Sequence, residues 1–250
     1  MAVLITGASA GFGAAMCRAF VNAGFSVIGA ARRLEKLEDL HHELGASFFP
    51  LSMDVADKRS VDVALASLPG DWAQIDGLIN NAGLALGLAP AQEAEFADWE
   101  TMIHTNILGL TYLTRQILPQ MVARNAGYII NLGSTAGAWP YKGGNVYGAT
   151  KAFVQQFSLN LRTDLAGTRV RVSLIAPGLC GETEFSNVRF KGNDAQAAAV
   201  YADTVYLTPE DIANTALWLY QTPPHMNVNT IEMMPISQTF GGLSVTHAQD

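Results

Sequence analysis

A tyrosine and a lysine, four residues apart, are the side chains of this 250-residue chain whose types and spacing point most directly to chemistry. Tyr147 and Lys151 lie within residues 143–161, where Lys151 is the only charged residue. On a helix they share one face, and an ammonium beside a phenol favours the phenolate and lowers the tyrosine pKa. The pair therefore indicates acid–base catalysis; the alternative is a surface lysine that extends from a core helix.

A glycine-rich turn supplies a second chemical signal. Gly7, Gly11 and Gly13 follow an apolar run and precede a helical pattern. Glycine permits a tight turn and a close backbone approach to a diphosphate, while the N-terminus of the helix offers N–H donors. The alternative is an ordinary turn between a strand and a helix, but the position directly after the first apolar run favours dinucleotide binding.

The end of the second apolar run suggests which dinucleotide is bound. NAD-binding folds place an acidic residue there to hold the ribose 2′-hydroxyl, whereas this chain has Arg32 and Arg33. Two guanidinium groups suit a 2′-phosphate. A solvated start of a helix is the alternative, although cations oppose the dipole at that end. The prediction is NADP.

The elements that position these residues alternate along the chain. Seven short, continuously apolar runs are separated by helical patterns, as in a parallel sheet that is buried on both faces. The runs are residues 3–6, 26–31, 48–53, 77–80, 128–132, 170–175 and 229–233. We therefore predict an α/β fold, a single-domain Rossmann-type doubly wound parallel sheet with helices on both faces, over residues 1–250.

One polar segment interrupts this alternation. Residues 182–207, called the covering segment below, follow a strand at the edge of the sheet where ligands bind in open α/β folds. We expect this segment to be a loop that covers the substrate.

Composition narrows the class of partner. The net charge of −7 argues against nucleic acid or an anionic membrane, and no apolar run approaches the ~20 residues of a membrane span. The N-terminal residues carry no basic region of a signal peptide. The two cysteines and five histidines show no ligand spacing, so we expect no metal site. A small-molecule substrate and a cytoplasmic location are the expectation.

The motifs together resemble the short-chain dehydrogenase/reductase family across essentially the whole chain. They occur in the family's order and spacing: the Gly7–Gly13 turn, Asn80-Asn81-Ala82-Gly83, Asn106, Ser134, Tyr147 with Lys151, and Pro177-Gly178. The resemblance implies catalytic roles for four of these residues. Tyr147 would exchange the hydroxyl proton, Lys151 would lower its pKa, Ser134 would bind the reacting oxygen, and Asn106 would order a proton-relaying water.

The resemblance also implies a set of cofactor contacts. These are Gly7, Ser9, Gly11, Phe12, Gly13, Arg32, Arg33, Asp54, Val55, Asn81, Ala82, Gly83, Tyr147, Lys151, Pro177, Gly178 and Thr183. Asp54 and Val55 would meet the adenine, and Pro177, Gly178 and Thr183 would cover the nicotinamide. Four residues separate Gly178 from Thr183, where many family members have three, so the contacts there stay open.

Within the family, residues 133–141, 183–190 and 232–235 resemble bacterial NADP-dependent 3-hydroxy acid dehydrogenases. This implies hydride transfer between NADP(H) and serine, L-allo-threonine or 3-hydroxypropionate, the last formed in reverse from malonic semialdehyde. Ser134, Tyr147 and Arg189 are the expected substrate contacts, with Lys191 an equal candidate for the carboxylate. Relatives of this kind are usually homotetramers, and the apolar residues 240–245 fit a subunit contact.

Three side chains are weaker candidates for the substrate site: Trp139, Tyr141 and Arg115. We expect Cys180 to be a small buried hydrophobic residue, and the histidines to lie in solvent or in the core.

Two other functions remain open. One is reduction of another small anionic aldehyde, such as sulfoacetaldehyde, and the other is a non-catalytic NADPH-binding regulator.

Overall fold

The apolar runs form one parallel sheet in the computed structural model, which describes residues 2–241. Its strands are β1 (Ala2–Thr6), β2 (Ser26–Ala31), β3 (Phe48–Ser52), β4 (Ile75–Asn80), β5 (Gly127–Leu132), β6 (Val170–Pro177) and β7 (Thr230–Met233). Their order in the sheet is β3-β2-β1-β4-β5-β6-β7. The predicted doubly wound parallel sheet is confirmed.

Helices occupy the connections between the strands. They are α1 (Gly11–Asn22), α2 (Leu34–Leu44), α3 (Lys58–Ala66), α4 (Phe96–Ile103), α5 (Leu110–Arg124), α6 (Asn145–Asp164), α7 (Phe185–Arg189), α8 (Asp194–Ala199) and α9 (Pro209–Gln221). A π-helical turn, His104–Gly109, joins α4 to α5. Such wide turns are often found at functional sites.

The sheet is buried on both faces, which explains its continuously apolar strands. Val3 and Ile5 of β1 pack into one core with α1 and α9. Leu4, between them, packs into the opposite core with α3 and α5. Because successive side chains of a strand point to opposite faces, each strand must be apolar throughout to fill both cores.

The strand order reverses at β1 and β4, where open α/β sheets have their ligand crevice. The turns after these two strands are tied together by side chains. The Thr6 hydroxyl accepts hydrogen bonds from the backbone N–H groups of Asn81 at 3.0 Å and Ala82 at 2.9 Å. The Asn81 amide donates to the Thr6 carbonyl at 2.8 Å. This network holds the two turns at a fixed separation.

The covering segment is more regular than the predicted loop. It contains the short helices α7 and α8, and the Asn193 side chain caps α8 by accepting from the backbone of Gln196. Within residues 2–241, no helix is long and apolar enough to cross a bilayer. Residues 242–245 of the apolar tail lie outside the described part of the chain.

Candidate active site

A cleft of about 1090 Å³ opens at the carboxyl ends of the strands and collects most of the predicted site residues. Of the predicted catalytic residues, Ser134, Tyr147 and Lys151 line it. The predicted cofactor contacts line it as well, apart from Gly13, and so does Arg189. Two predicted residues, Gly13 and Asn106, do not line it.

Glycine is required in the turn after β1 for two different reasons. Gly7 has a φ of +68°, a conformation that L side chains rarely adopt. A Cβ at Gly13 would lie 2.1 Å from the Gly7 carbonyl oxygen, so only glycine lets α1 begin so close to the turn. The N-cap residue Ala10 provides no side-chain cap, and the first turn of α1 has no acidic residue. The free N–H groups and the helix dipole therefore favour an anion in the cleft.

The two arginines after β2 have different surroundings. Arg32 is exposed and lines the cleft, and among residues 2–241 its guanidinium has no hydrogen-bond partner. Arg33 donates to the Ser9 hydroxyl and to the Glu184 carboxylate. The sequence predicts an equivalent pair of cations, whereas the structure pairs Arg33 with the covering segment and gives Arg32 no partner within the described residues.

Tyr147 and Lys151 both lie on α6 and are only 8% and 7% exposed. The Lys151 ammonium donates to the Leu132 carbonyl at 2.9 Å and lies 5.9 Å from the centre of the Tyr147 ring. Burial lowers the pKa of Lys151 to about 8, because removal from water disfavours the charged form. Lys151 is therefore mostly an ammonium at neutral pH.

The pKa of Tyr147 differs from the expectation. Burial raises this pKa to about 12, although a hydrogen bond with Ser134 and the charge of Arg189 act in the opposite direction. The net shift is upward because desolvation of the phenolate outweighs the effects that lower the pKa, and the role of Lys151 in lowering it stays a prediction. Tyr147 accordingly holds its proton at neutral pH.

Asn106 sits in the π-helical turn and is bonded to the protein on both sides. Its Oδ1 accepts from the Leu84 N–H at 3.0 Å. Its Nδ2 donates to the Leu84 carbonyl at 2.9 Å and to the Thr150 hydroxyl at 3.0 Å. A Cβ at Gly83 would approach both Asn106 Oδ1 and Lys151 Nζ, at 3.2 and 3.4 Å. Asn106 thus ties the loop after β4 to α6, and its predicted water-ordering role stays a prediction.

Arg189, at the end of α7, is the cation at the substrate end of the cleft. Its Nη2 donates to the Tyr141 hydroxyl at 2.9 Å, and its guanidinium carbon lies 5.2 Å from the Tyr147 ring centre and 5.0 Å from that of Phe185. The Arg189 Nε is buried and has no hydrogen-bond partner among the described residues. A buried, unpaired donor is costly, so this group is suited to bind an anionic ligand.

The other candidate substrate residues lie in different places. Lys191 pairs with Asp98 at 2.8 Å and does not line the cleft, and the exposed Arg115 does not line it either. Trp139 and Tyr141 do line it, and the Trp139 indole N–H donates to Glu232 at 3.0 Å.

Cys180 and His104 also line the cleft. Cys180 is half-buried rather than fully buried, and burial raises its thiol pKa to about 12. His104 is exposed. Within residues 2–241, no group of three or more histidine, cysteine or acidic residues could hold a metal ion.

Sequence reasoning missed Glu184 and the residues that follow β7. Gln238 accepts from the Leu179 N–H at 2.6 Å, and both Gln238 and Phe240 line the cleft. Because β7 is parallel to the other strands, its carboxyl end also faces the cleft, and that position was the available signal. Nothing in the sequence indicated the partner of Glu184.

Known proteins with the same architecture resemble this chain over nearly its whole length. The family model for short chain dehydrogenases matches residues 1–194. The NADP-dependent 3-hydroxy acid dehydrogenase YdfG of Escherichia coli strain K12 is 58% identical over 245 residues, 98% of this chain and 99% of that protein. Serine 3-dehydrogenase of Agrobacterium fabrum is 49% identical over 243 residues, 97% of each chain.

A solved structure described as the closed form of serine dehydrogenase complexed with NADP+ gives a TM-score of 0.98 at 57% identity. It covers 99% of this chain and 100% of that one. The sheet order, the glycine turn, the buried tyrosine and lysine, and these matches agree with one another. The chain belongs to the short-chain dehydrogenase family.

Proposed function

We propose that this protein is an NADP-dependent dehydrogenase of small 3-hydroxy acids, acting on serine, L-allo-threonine or 3-hydroxypropionate and, in reverse, on malonic semialdehyde. One observation carries the substrate class: Arg189, whose Nε has no hydrogen-bond partner among residues 2–241, lies beside Tyr147 in a cleft of about 1090 Å³. The full-length similarity to 3-hydroxy acid and serine dehydrogenases supports the same assignment.

The residues of the cleft fit NADP. The free N–H groups at the start of α1 suit a diphosphate. Arg32, which no residue in the described part of the chain pairs with, suits a 2′-phosphate. Asp54 and Val55 would border the adenine, while Asn81, Pro177, Gly178 and Thr183 would border the nicotinamide half; all six line the cleft. When bound, NADP+ supplies the chemistry of accepting the hydride from the substrate carbon.

Tyr147 carries the proton in this scheme. In reduction, the neutral phenol donates its proton to the carbonyl oxygen, and its raised pKa keeps that proton available. In oxidation, the deprotonated Tyr147 phenolate takes the hydroxyl proton while the substrate carbon–hydrogen bond releases its hydride to the bound cofactor. Ser134, held by the backbone N–H of Ala136 at 3.1 Å, hydrogen-bonds the reacting oxygen. The nearby Lys151 ammonium stabilises the phenolate.

Arg189 determines which substrates are bound productively. The guanidinium sits 5.2 Å from the Tyr147 ring centre, so one small molecule can place a carboxylate on Arg189 and a hydroxyl on Tyr147. Charge-assisted hydrogen bonds to a carboxylate are about twice as strong as neutral ones. Such a site favours a small hydroxy acid over an uncharged alcohol.

We also propose that the enzyme is a cytoplasmic homotetramer. Leu108 in the π-helical turn and Phe153 and Leu159 on α6 are large apolar side chains, exposed by 43%, 39% and 38%. Apolar surface of this kind favours a subunit contact. The free thiols Cys17 and Cys180 suit a reducing compartment. Sedimentation of a monomer would contradict the oligomeric assignment.

A substrate panel tests the proposed function. NADP+ reduction is measured with L-serine, L-allo-threonine, 3-hydroxypropionate and isethionate. Turnover of the first three supports the proposal. A preference for isethionate would identify a sulfoacetaldehyde reductase. No NADP+ reduction with any of the four, with intact NADPH binding, would identify a non-catalytic regulator.

A further inference from the structure

An ion pair joins the covering segment to the arginine after β2. Glu184 accepts from Arg33 Nη1 at 3.1 Å and from Nη2 at 2.8 Å, so the pair is bidentate. The two residues are 151 positions apart in the chain. Both line the same cleft, and the pair therefore connects its two rims.

The ion pair lies against the glycine turn after β1. Arg33 also donates to the Ser9 hydroxyl, from Nη2 at 3.0 Å and from Nε at 3.3 Å. Thr183, next to Glu184, lies so close to the turn that a Cβ at Gly11 would meet its Cγ2 at 3.2 Å. The Arg33–Glu184 pair thus passes over the turn that would hold the diphosphate.

Most of the hydrogen-bonding capacity of Arg33 is already used. A guanidinium has five N–H donors, and the contacts with Ser9 and Glu184 use four of them. Arg32 is different, because no residue of the described chain pairs with its guanidinium. Arg32 is therefore suited to bind a 2′-phosphate. Arg33 is already held by Ser9 and Glu184, so we look for a different role for it.

The contact between Glu184 and Arg33 also affects the end of the cleft that would hold the substrate. Glu184 immediately precedes α7, a five-residue helix that ends at Arg189, and the Val188 N–H donates to the Glu184 carbonyl at 2.9 Å. A short helix transmits the position of one end to the other. Fixing Glu184 on Arg33 therefore also fixes the start of the helix that carries the substrate guanidinium.

We infer that Glu184 is a positioning residue: its ion pair with Arg33 is a strap that fastens the covering segment over the bound cofactor, while Arg32 recognises the 2′-phosphate. The inference rests on the NADP binding of the proposed function. The strap would contact no group that differs between NADPH and NADH. It therefore slows the release of both cofactors. The 2′-phosphate contact of Arg32 distinguishes the two cofactors.

The test measures the release of NADPH and NADH in stopped flow, using displacement by excess NADP+. Glu184→Gln should speed the release of both cofactors by about two- to fivefold, the range expected for an exposed ion pair. Glu182→Gln is the matched control, since Glu182 lies in the same segment and its hydrogen bond goes to Tyr206. Arg32→Gln should weaken NADPH binding and leave NADH binding unchanged.

Two further measurements separate a strap from a general structural role. Glu184→Gln should add nothing to Arg33→Gln in the double variant, because either change breaks the same pair. Added salt should speed NADH release from the unmodified protein and bring it towards the Glu184→Gln rate. Equal release from Glu184→Gln and Glu182→Gln, additive effects with Arg33→Gln, or an effect on NADPH alone would overturn the strap. No NADPH binding to the unmodified protein would overturn the proposed function with it.

Discussion

The guanidinium carbon of Arg189 lies 5.2 Å from the centre of the Tyr147 ring. This distance puts a fixed positive charge beside the side chain that carries the proton, and the charge of Arg189 lowers the Tyr147 pKa against the larger effect of burial. Arg189 therefore has two expected effects on catalysis: it binds the substrate carboxylate, and it makes the phenolate easier to form.

Arg189→Gln should raise KM for 3-hydroxypropionate by about 10- to 100-fold, the loss expected for a hydrogen bond to a charged group. The KM for the uncharged 1-propanol should change little, since that alcohol has no carboxylate. Steady-state kinetics with both substrates checks this. Lys191→Gln is the control, because Lys191 lies in the same segment but pairs with Asp98; equal losses in both variants would contradict the carboxylate role.

Tyr147→Phe should lower kcat by at least about 10²- to 10⁴-fold, the usual contribution of a positioned acid or base. NADPH binding should stay within about twofold of the unmodified protein, because the phenol moves a proton and leaves the glycine turn intact. Fluorescence titration and turnover together check this. Tyr128→Phe provides a buried tyrosine outside the cleft, bonded to Ser173 at 2.7 Å, and should remain active. Substantial turnover by Tyr147→Phe would show that another group moves the proton.

The pH dependence of the two reaction directions should differ. Tyr147 has a pKa raised to about 12, so reduction, which uses the neutral phenol, should be nearly flat between about pH 6 and 8. Oxidation uses the phenolate and should rise with pH over the same range. Arg189→Gln, measured with 1-propanol, should move the oxidation profile to higher pH, since loss of the guanidinium charge raises the Tyr147 pKa further. A profile that does not move would exclude this electrostatic effect.

Lys151→Met should stabilise the cofactor-free protein while abolishing turnover. A pKa that falls from 10.5 to about 8 implies a cost on the order of 3 kcal/mol for keeping the ammonium in the fold. We expect a gain of about 1–3 kcal/mol in unfolding free energy at pH 7.

The lowered pKa of Lys151 also determines how this stability difference varies with pH. The free-energy cost of the buried ammonium is present in full below about pH 8, decreases as the pH rises towards 10.5, and is absent above that. The advantage of Lys151→Met should therefore shrink over that range in denaturation experiments. The exposed Lys142 provides the control, since Lys142→Met should leave stability nearly unchanged. A constant advantage across pH would contradict the assigned cause.

Local patterns in the sequence were sufficient to predict the sheet, the glycine turn and the shared face of Tyr147 and Lys151. These features depend on residues close together in the chain, and periodicity or spacing reveals them. The Arg33–Glu184 and Lys191–Asp98 pairs could not be predicted, because only the fold brings those residues together. The upward direction of the Tyr147 pKa shift was missed for a related reason: it depends on burial of the side chain by the fold, which spacing does not reveal.

The most direct test of the substrate assignment compares two substrates of equal carbon number on the unmodified enzyme. The kcat/KM for NADP+-dependent oxidation is measured for 3-hydroxypropionate and for 1-propanol, which differ by the carboxylate. We predict a preference for 3-hydroxypropionate of at least about 10- to 100-fold, as a charge-assisted contact with Arg189 requires. Equal values for the two alcohols would contradict the assignment to 3-hydroxy acids.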